Sequence, residues 1–519
     1  MFWADQIARR VIAEKGDKDS YTCAAGITPS GTIHIGNFRE IITVDLFARA
    51  MRSLGKKVRF IYSWDDYDRL RKVPVNVPNA PEFQKYLLKP IVLTPDPWKC
   101  HKSWAEHFES KVEAVLPKVG INPEFIYQNR MYRKCAYAEG IKTALSKRDV
   151  IVRILNKYRK EPLAPNWWPL RVYCEKCGYE STMVTGWDGE YTVTYTCECG
   201  HQGSLDFRKT GNAKLPWRVD WPMRWDYEKI DFEPAGKDHS TPGGSRDVGV
   251  EIQKAVYGTE PPVYQMYDFV ILNAGGKISS SSGNVIATED VLDIYLPEIL
   301  RFLFAGTKPV KEFEIALDEG VFKVYEDFYT VERAYYGKEK LEGKKLAQMK
   351  RIYEMSAVDR PAKEMPLQPN FKHCVELINI YGDVGKALAA VKAKEKVSGA
   401  GLDRYKAMLE GAKNWVEKYA TERYKFKVQD RVPDSIGAQL SGSQRKALAT
   451  LVSDLEEKDW YEEDLFNRFY DIAKEAGISG KEFFQAVYLA LIAQKAGPRL
   501  APFILAIGRE RVAKILKSI

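Results

Sequence analysis

Apolar positions change period several times along the chain, and each change marks an element. Tyr21-Thr22-Cys23-Ala24-Ala25 is an apolar run of strand length, whereas Phe38, Ile41, Ile42, Leu46 and Phe47 recur at helical spacing. Between them, "ITPSGTIHIGN" (27–37) is too polar for a strand and too broken for a helix, so it reads as a strand-to-helix turn. "KVRFIYSW" (57–64) is a second strand, and strand, helix, strand is a βαβ opening that implies a parallel sheet. Residues 90–235 lack long periodic segments and hold six of the eight cysteines, which marks an insertion. Alternation resumes at "PVYQMYDFVIL" (262–272), predicted as one buried strand that runs into "NAGGKISSSSGN". From about residue 320 onward the pattern is helical, and its last strongly amphipathic pieces are "KEFFQAVYLALIAQ" and "APFILAIGRERVAKIL".

Composition narrows the class. A chain of 519 residues with 45% apolar content supports two to four domains. The net charge of +9 is modest for that length and compatible with a basic face for a polyanion. No apolar run approaches the ~18 residues that span a bilayer; the longest, Ala486 to Ala493, is a helix stripe, so no membrane partner is expected. The N-terminal stretch carries Asp5 and Glu14 and has no signal-like apolar core, which argues against export. With cysteines paired at metal spacing rather than as a disulfide framework, the expected compartment is the cytoplasm.

The two glycine-bearing turns carry the chemistry. Gly26, Gly31 and Gly36 allow backbone to approach a ligand, and a helix starting near Ile35 turns its free N–H groups toward an anion. His34 is placed to donate to a phosphate oxygen as charge shifts, which is electrostatic stabilisation rather than nucleophilic attack. In the second turn, Lys277 followed by Ile278, Ser279, Ser280 and Ser281 offers a cation and hydroxyls suited to closing over a triphosphate. It is not a Walker A loop, because Gly276-Lys277 is followed by Ile278.

Two metal sites are readable. Cys174-x₂-Cys177, a gap of nineteen residues and Cys197-x-Cys199 have zinc-ribbon character, with His201 as an alternative to one cysteine of the second pair. "DPWKCHKSWAEHF" offers Asp96, Cys100, His101 and His107 as a second zinc set; the competing reading is core packing by Trp98, Trp104 and Phe108. Neither is expected to be catalytic.

With these words in hand, the chain resembles the class I aminoacyl-tRNA synthetases, whose signatures HIGH and KMSKS correspond to His34-Ile35-Gly36-Asn37 and Lys277-Ile278-Ser279-Ser280-Ser281. Gly236-Lys237-Asp238-His239 is similar to the Gly-x-Asp-Gln/His element between them. Asn37 and Ser280 stand where the family words have a second histidine and a second lysine. The resemblance implies catalytic His34 and Lys277, and ATP contacts from Ile35, Gly36, Asn37, Asp238, Ser279, Ser280 and Ser281, with Mg²⁺ on the ATP.

Over nearly its full length the chain is similar to the class I, archaeal type of lysyl-tRNA synthetase, through "GITPSGTIHIGNFRE", "GKDHSTPGGSRDVG", "NAGGKISSSSGNV", "YATERYKF" and "GPRLAPFILAIGRERV". The implied fold class is α/β: a Rossmann-type parallel-sheet catalytic domain with a zinc-containing insertion, followed by an all-α C-terminal region. The expected boundaries are 1–90 and 236–310 for the two catalytic halves, 91–235 for the insertion, 311–355 for a helical stem and 356–519 for an anticodon-binding domain. The implied partners are ATP, L-lysine and tRNA(Lys), on a monomer, with tRNA needed for activation. The implied amino-acid site comprises Gly26, Thr28, Trp217, His239 and a tyrosine, with Tyr264 and Tyr267 both fitting. Read from the residues alone, Asp65, Asp66 and Asp68 beside Trp64 and Tyr67 are the candidate acceptors for an ammonium. The competing readings are a class I synthetase for glutamate or cysteine, a small-molecule nucleotidyltransferase, and a zinc-ribbon nucleic-acid-binding protein.

Overall fold

Five short runs of strand-forming residues make the central sheet: β1 (Ser20–Ile27), β2 (Lys57–Trp64), β3 (Glu124–Tyr127), β4 (Phe232–Gly236) and β5 (Val263–Tyr267). All pair in parallel, in the order β5-β4-β1-β2-β3. The structure is a computed structural model and describes residues 2–74, 77–272, 276–277, 285–395 and 397–519. Ser279, Ser280 and Ser281 lie outside the described residues, and Lys277 is described by its backbone alone.

The order reverses direction at β1. The chain adds β2 and β3 on one side, then returns to add β4 and β5 on the other, so β1 and β4 flank a topological switch point, where ligands bind at the carboxyl ends of the strands. The first crossover is α1 (Ile35–Ser53), whose Phe38, Ile41, Ile42, Leu46 and Phe47 are buried as their spacing requires. Phe47 stacks on Phe232 of β4 at 4.1 Å. Before β3 runs α2 (Trp104–Val115), and before β4 runs α3 (Trp217–Glu228).

The insertion contains a three-stranded antiparallel ribbon, Thr182–Trp187, Thr192–Cys197 and Gln202–Asp206. The run 262–272 is not one strand. It breaks at Asp268 and Phe269, and Val270–Leu272 joins a second sheet, parallel to Phe313–Ile315 and antiparallel to Gly276–Lys277. The Asp268 N–H donates to the Pro309 carbonyl and its carboxylate takes the Lys237 ammonium at 2.9 Å, contacts that draw this point out of the first sheet.

The chain forms two compact units, one of residues 1–291, 297–315 and 330–361, the other of 292–296, 316–329 and 362–519. In the first, the fully buried Arg301 pairs with Asp45 at 2.7 Å and fixes the helix Pro297–Gly306 to α1. The second has no strand among its described residues. Its C-terminal helices close around Leu451, Phe469, Phe483, Leu491 and Ile504, and two of them start in Ser441/Gln444 and Ser479/Glu482 capping boxes. No helix among the described residues is long and apolar enough to cross a membrane.

Candidate active site

The site grows out of the first turn. His34 is the N-cap of α1: its Nδ1 accepts the Gly36 N–H at 3.1 Å, while Asn37 Oδ1 accepts the His34 N–H at 3.1 Å. That reciprocal cap is the local job of Asn37. Because Nδ1 is an acceptor, the neutral imidazole carries its proton on Nε2. Gly36 is required here, since a Cβ would lie 2.9 Å from the His34 ring. The Ile35 N–H donates to the Ile286 carbonyl at 2.9 Å, so the chain that follows residues 278–284 returns to this turn.

At the carboxyl ends of β1, β4 and β5 lies a cleft of about 500 Å³. Thr28 and His34 come to it from the first turn, Gly36 and Asn37 from α1, Trp217 from the start of α3, Asp238 and His239 from the turn after β4, and Tyr267 from β5. Residues 200 apart in sequence thus meet at the switch point. Tyr264 and Tyr267 differ by an odd number of positions on one strand and face opposite ways. Tyr267 lines the cleft, whereas Tyr264 donates to Ser240 and lies under the Arg246 guanidinium.

A smaller chamber of about 80 Å³ opens behind the cleft and shares Gly26, Glu40, Asp65, Trp217 and His239 with it. Gly26 leaves no room for a Cβ, which would sit 2.9 Å from the Ser63 carbonyl oxygen. The walls are indole: Trp217 stacks on Trp221 at 5.0 Å, and Trp221 meets Trp225 at 4.7 Å. Glu40 reaches in from α1, accepting the Gly26 N–H at 2.9 Å and the Tyr267 hydroxyl at 2.5 Å. Burial pushes its carboxyl up to about 8. Glu233 of β4 accepts the Trp225 indole N–H and is also raised by burial.

The three aspartates after β2 are already occupied. Asp65 pairs with Arg224 at 2.6 Å, Asp68 with Lys214 at 2.9 Å, and Asp66 accepts the Asn129 backbone N–H at 2.8 Å. Asp66 ties the end of β2 to the end of β3 and lines neither cavity. Of the carboxylates that line the chamber, Glu40 and Glu233 form no ion pair among the described residues, and the sequence reading passed over both. Glu40 lies one turn beyond Gly36 and Asn37 in a helix that also carries Arg39, Asp45 and Arg49, so spacing alone did not single it out. Arg39 was also missed. It is 2% exposed and donates to the carbonyls of Phe269, Pro309 and Lys311, holding the segment that leads toward Lys277.

Both metal-ligand sets converge. The sulfurs of Cys174 and Cys199 are 3.8 Å apart, and those of Cys177 and Cys197 3.7 Å. Four thiolates at the Zn–S length of ~2.3 Å on a tetrahedron would be ~3.8 Å apart, so the group fits zinc. His201 is not part of it. In the second set, Cys100 Sγ lies 3.1 Å from His101 Nδ1, 3.2 Å from His107 Nδ1 and 3.2 Å from Asp96 Oδ2. Lys99, at φ 59°, turns the chain so that the adjacent Cys100 and His101 face one point. His101 Nε2 is within 2.9 Å of Ser110 Oγ, which fixes its ring. The apolar reading holds as well: Trp98 stacks on His107 at 4.1 Å and packs on Trp104 and Phe108.

Comparison with known proteins follows the same division of the chain. Residues 1–359 match the family described as tRNA synthetases class I (K), and residues 392–519 match an anticodon binding domain. The chain is 46% identical to the lysine–tRNA ligase of Borreliella burgdorferi, over 99% of this chain and 98% of that one. It is 42% identical to that of Treponema pallidum, over 99% and 98%, and 41% identical to that of Pyrococcus horikoshii, over 99% of each. Among solved structures, a glutamate tRNA ligase from Elizabethkingia meningosepticum aligns with 96% of this chain and 98% of its own at a TM-score of 0.45 and 12% identity.

Proposed function

The chain belongs to the class I tRNA synthetases of the lysine type, and from that premise we propose that it is a lysine–tRNA ligase whose own residues act as follows. A carboxylate oxygen of lysine attacks the α-phosphorus of ATP, the bond to the bridging oxygen breaks, and pyrophosphate leaves. The 3′-terminal adenosine hydroxyl of tRNA(Lys) then attacks the carbonyl carbon of the lysyl-adenylate, and AMP leaves. No side-chain nucleophile is needed, because positioning and electrostatic stabilisation carry both steps. Lysine lies where the cleft opens into the chamber, bounded by Gly26, Thr28, Trp217, His239 and Tyr267, and ATP lies along the cleft. The Nε2–H of His34 donates to the phosphates, Asp238 takes the ribose hydroxyls, and Lys277 with Ser279, Ser280 and Ser281 neutralises the leaving pyrophosphate. ATP brings Mg²⁺, which shields phosphate charge.

One observation carries this reading: residues from five separate segments, two of them bearing family words, line one cleft at the switch point beside an indole-walled chamber with two carboxylates that form no ion pair among the described residues. Zinc held by Cys174, Cys177, Cys197 and Cys199, and a second zinc held by Asp96, Cys100, His101 and His107, fix the insertion and take no part in the chemistry. The region 392–519 reads the anticodon, the enzyme works as a monomer, and activation requires tRNA.

The test is ATP–pyrophosphate exchange by the purified protein with each of the twenty amino acids, with and without tRNA. Exchange driven by lysine, dependent on tRNA, is the expected result. Exchange driven by a different amino acid, or none under any condition, overturns the reading.

A further inference from the structure

Arg39 is a buried cation answered by backbone rather than by carboxylate. It stands on α1, five residues after His34, and is 2% exposed. Its guanidinium donates to four carbonyl oxygens, those of Phe269 at 2.8 Å, Lys308 at 3.1 Å, Pro309 at 2.9 Å and Lys311. The centroid of the Phe313 ring lies 5.0 Å from it. Asp268, next to Phe269, is held by Lys237 at 2.9 Å. Desolvation lowers the Arg39 guanidinium to about 10. A buried charge costs stability, and well-packed apolar side chains of similar volume often replace one without loss. Packing alone gives no reason for a cation here.

The carbonyls that Arg39 gathers have a common place in the fold. Phe269 immediately precedes the strand Val270–Leu272, and Lys308, Pro309 and Lys311 lie in the turn that leads into its parallel neighbour, Phe313–Ile315. One fixed point on α1 therefore sets the starts of two paired strands. Val270–Leu272 also pairs antiparallel with Gly276–Lys277, and Lys277 stands opposite Ile271, two residues past Phe269. Beyond residues 278–284 the chain is fastened to the same helix start: the Ile35 N–H donates to the Ile286 carbonyl at 2.9 Å, and His34 bridges Ala287. Both flanks of the second signature segment are thus tied to the first two turns of α1 and its N-cap, where His34 is held. A planar fork with five donors can reach carbonyls of both strand starts at once, whereas an ammonium is a single point.

Resting on the lysine–tRNA ligase reading above, we propose that Arg39 is a positioning residue for the phosphate chemistry: it holds the strand Gly276–Lys277 in register with His34, so that Lys277 and His34 act on the same triphosphate. Arg39 touches no substrate. Its effect passes through Lys277, and a displacement of about 1 Å at that backbone is enough to cost on the order of 100-fold in rate.

The test is a double-mutant cycle on the full chain, with the unaltered enzyme, Arg39→Lys, Lys277→Ala and the two combined. Pyrophosphate released from labelled ATP is followed with enzyme in excess, in the presence of lysine and tRNA, so that slow variants remain measurable. Arg39→Lys is expected to lower the maximal rate by roughly 10- to 100-fold and to leave half-saturation by lysine within about twofold. Beside Lys277→Ala, the same substitution is expected to cost less than about threefold, because the group it positions is already gone. An unchanged rate in Arg39→Lys, an equal loss in both backgrounds, or a parallel weakening of lysine overturns the assignment, the last two being what a merely structural arginine would give. If Arg39→Lys does not fold, Phe313→Leu removes the ring beside the guanidinium and should cost roughly three- to tenfold, again only when Lys277 is present; no loss, or a loss that persists beside Lys277→Ala, is equally fatal. Failure of the lysine reading is distinguishable, because the unaltered enzyme itself would then release no pyrophosphate in response to lysine.

Discussion

His34 can act on a phosphate only if its ring is held, and what holds it is the absence of a side chain two residues on. A Cβ at position 36 would lie 2.9 Å from both Cε1 and Nδ1 of the ring, whereas one at position 31 would meet nothing nearer than Pro74 at 3.5 Å. Gly36→Ala should therefore break the His34 cap, costing on the order of 1 kcal/mol in stability and roughly 10- to 100-fold in exchange rate. Gly31→Ala should fold with an unchanged melting temperature, and the two melting curves and rates compared side by side check this. Glu40 gives a second prediction. Its carboxyl is raised to about 8 in the free protein by burial, and a bound ammonium favours its ionised form, so binding releases a proton. The lysine KM should fall as pH rises from about 6.5 toward 8 and then level off, and Glu40→Gln should flatten that profile. At this scale position was legible from short words: His34 and Asp238 both reach the cleft, and of the two tyrosines left open Tyr267 does. It was not legible for carboxylates, because whether an acid is free is decided by distant partners. Asp65 and Asp68 are neutralised by Arg224 and Lys214, some 150 residues on, and Glu233 became notable only once its neighbours lacked a cation for it.

Elements show the same divide between local and distant causes. The strand-turn-helix start, the β2 run and the amphipathic C-terminal helices follow from period alone, since each buries the face its spacing exposes. The break in 262–272 does not, because it depends on Asp268 meeting Pro309 and Lys237, and on Arg39 binding carbonyls from both sides of the crossing. Cysteine spacing was legible for a physical reason: metal ligands must converge within a few ångströms, so short turns carry them in pairs. Two sets converge here, and they sit in different elements, the antiparallel ribbon with its preceding loop and the 96–103 loop with α2. The purified protein is accordingly expected to carry two zinc ions per chain by elemental analysis. Cys177→Ser and Cys100→Ser should each remove one, independently. Both should lower the melting temperature, because metal binding to a folded site adds to folding free energy. A single zinc in the unaltered protein would identify the 96–107 cluster as a hydrogen-bonded core.

The whole molecule must bring a small dication and a large polyanion to one reaction, and it handles their charges in opposite ways. The site proposed for lysine is lined by carboxylates withdrawn from bulk solvent, where salt screens little. tRNA must be met by exposed groups, and the chain supplies an excess of nine positive charges over its length, with a region at 392–519 that matches an anticodon binding domain. The two Michaelis constants should therefore separate when ionic strength is varied. Each phosphate contact releases condensed counterions, so with about six contacts the tRNA KM should rise on the order of a thousandfold between roughly 50 and 200 mM salt. The lysine KM, read at saturating tRNA, should change by less than about twofold over the same range, because its partners are desolvated. Aminoacylation rates across a salt series with each substrate limiting in turn measure both slopes. Parallel slopes would mean that lysine enters through a solvent-exposed site, and a flat tRNA slope would mean that base contacts rather than phosphates hold the nucleic acid. The expected divergence follows from where each charge is met: the proposed lysine site is lined by desolvated carboxylates, and a polyanion as large as tRNA can be met only by exposed cations.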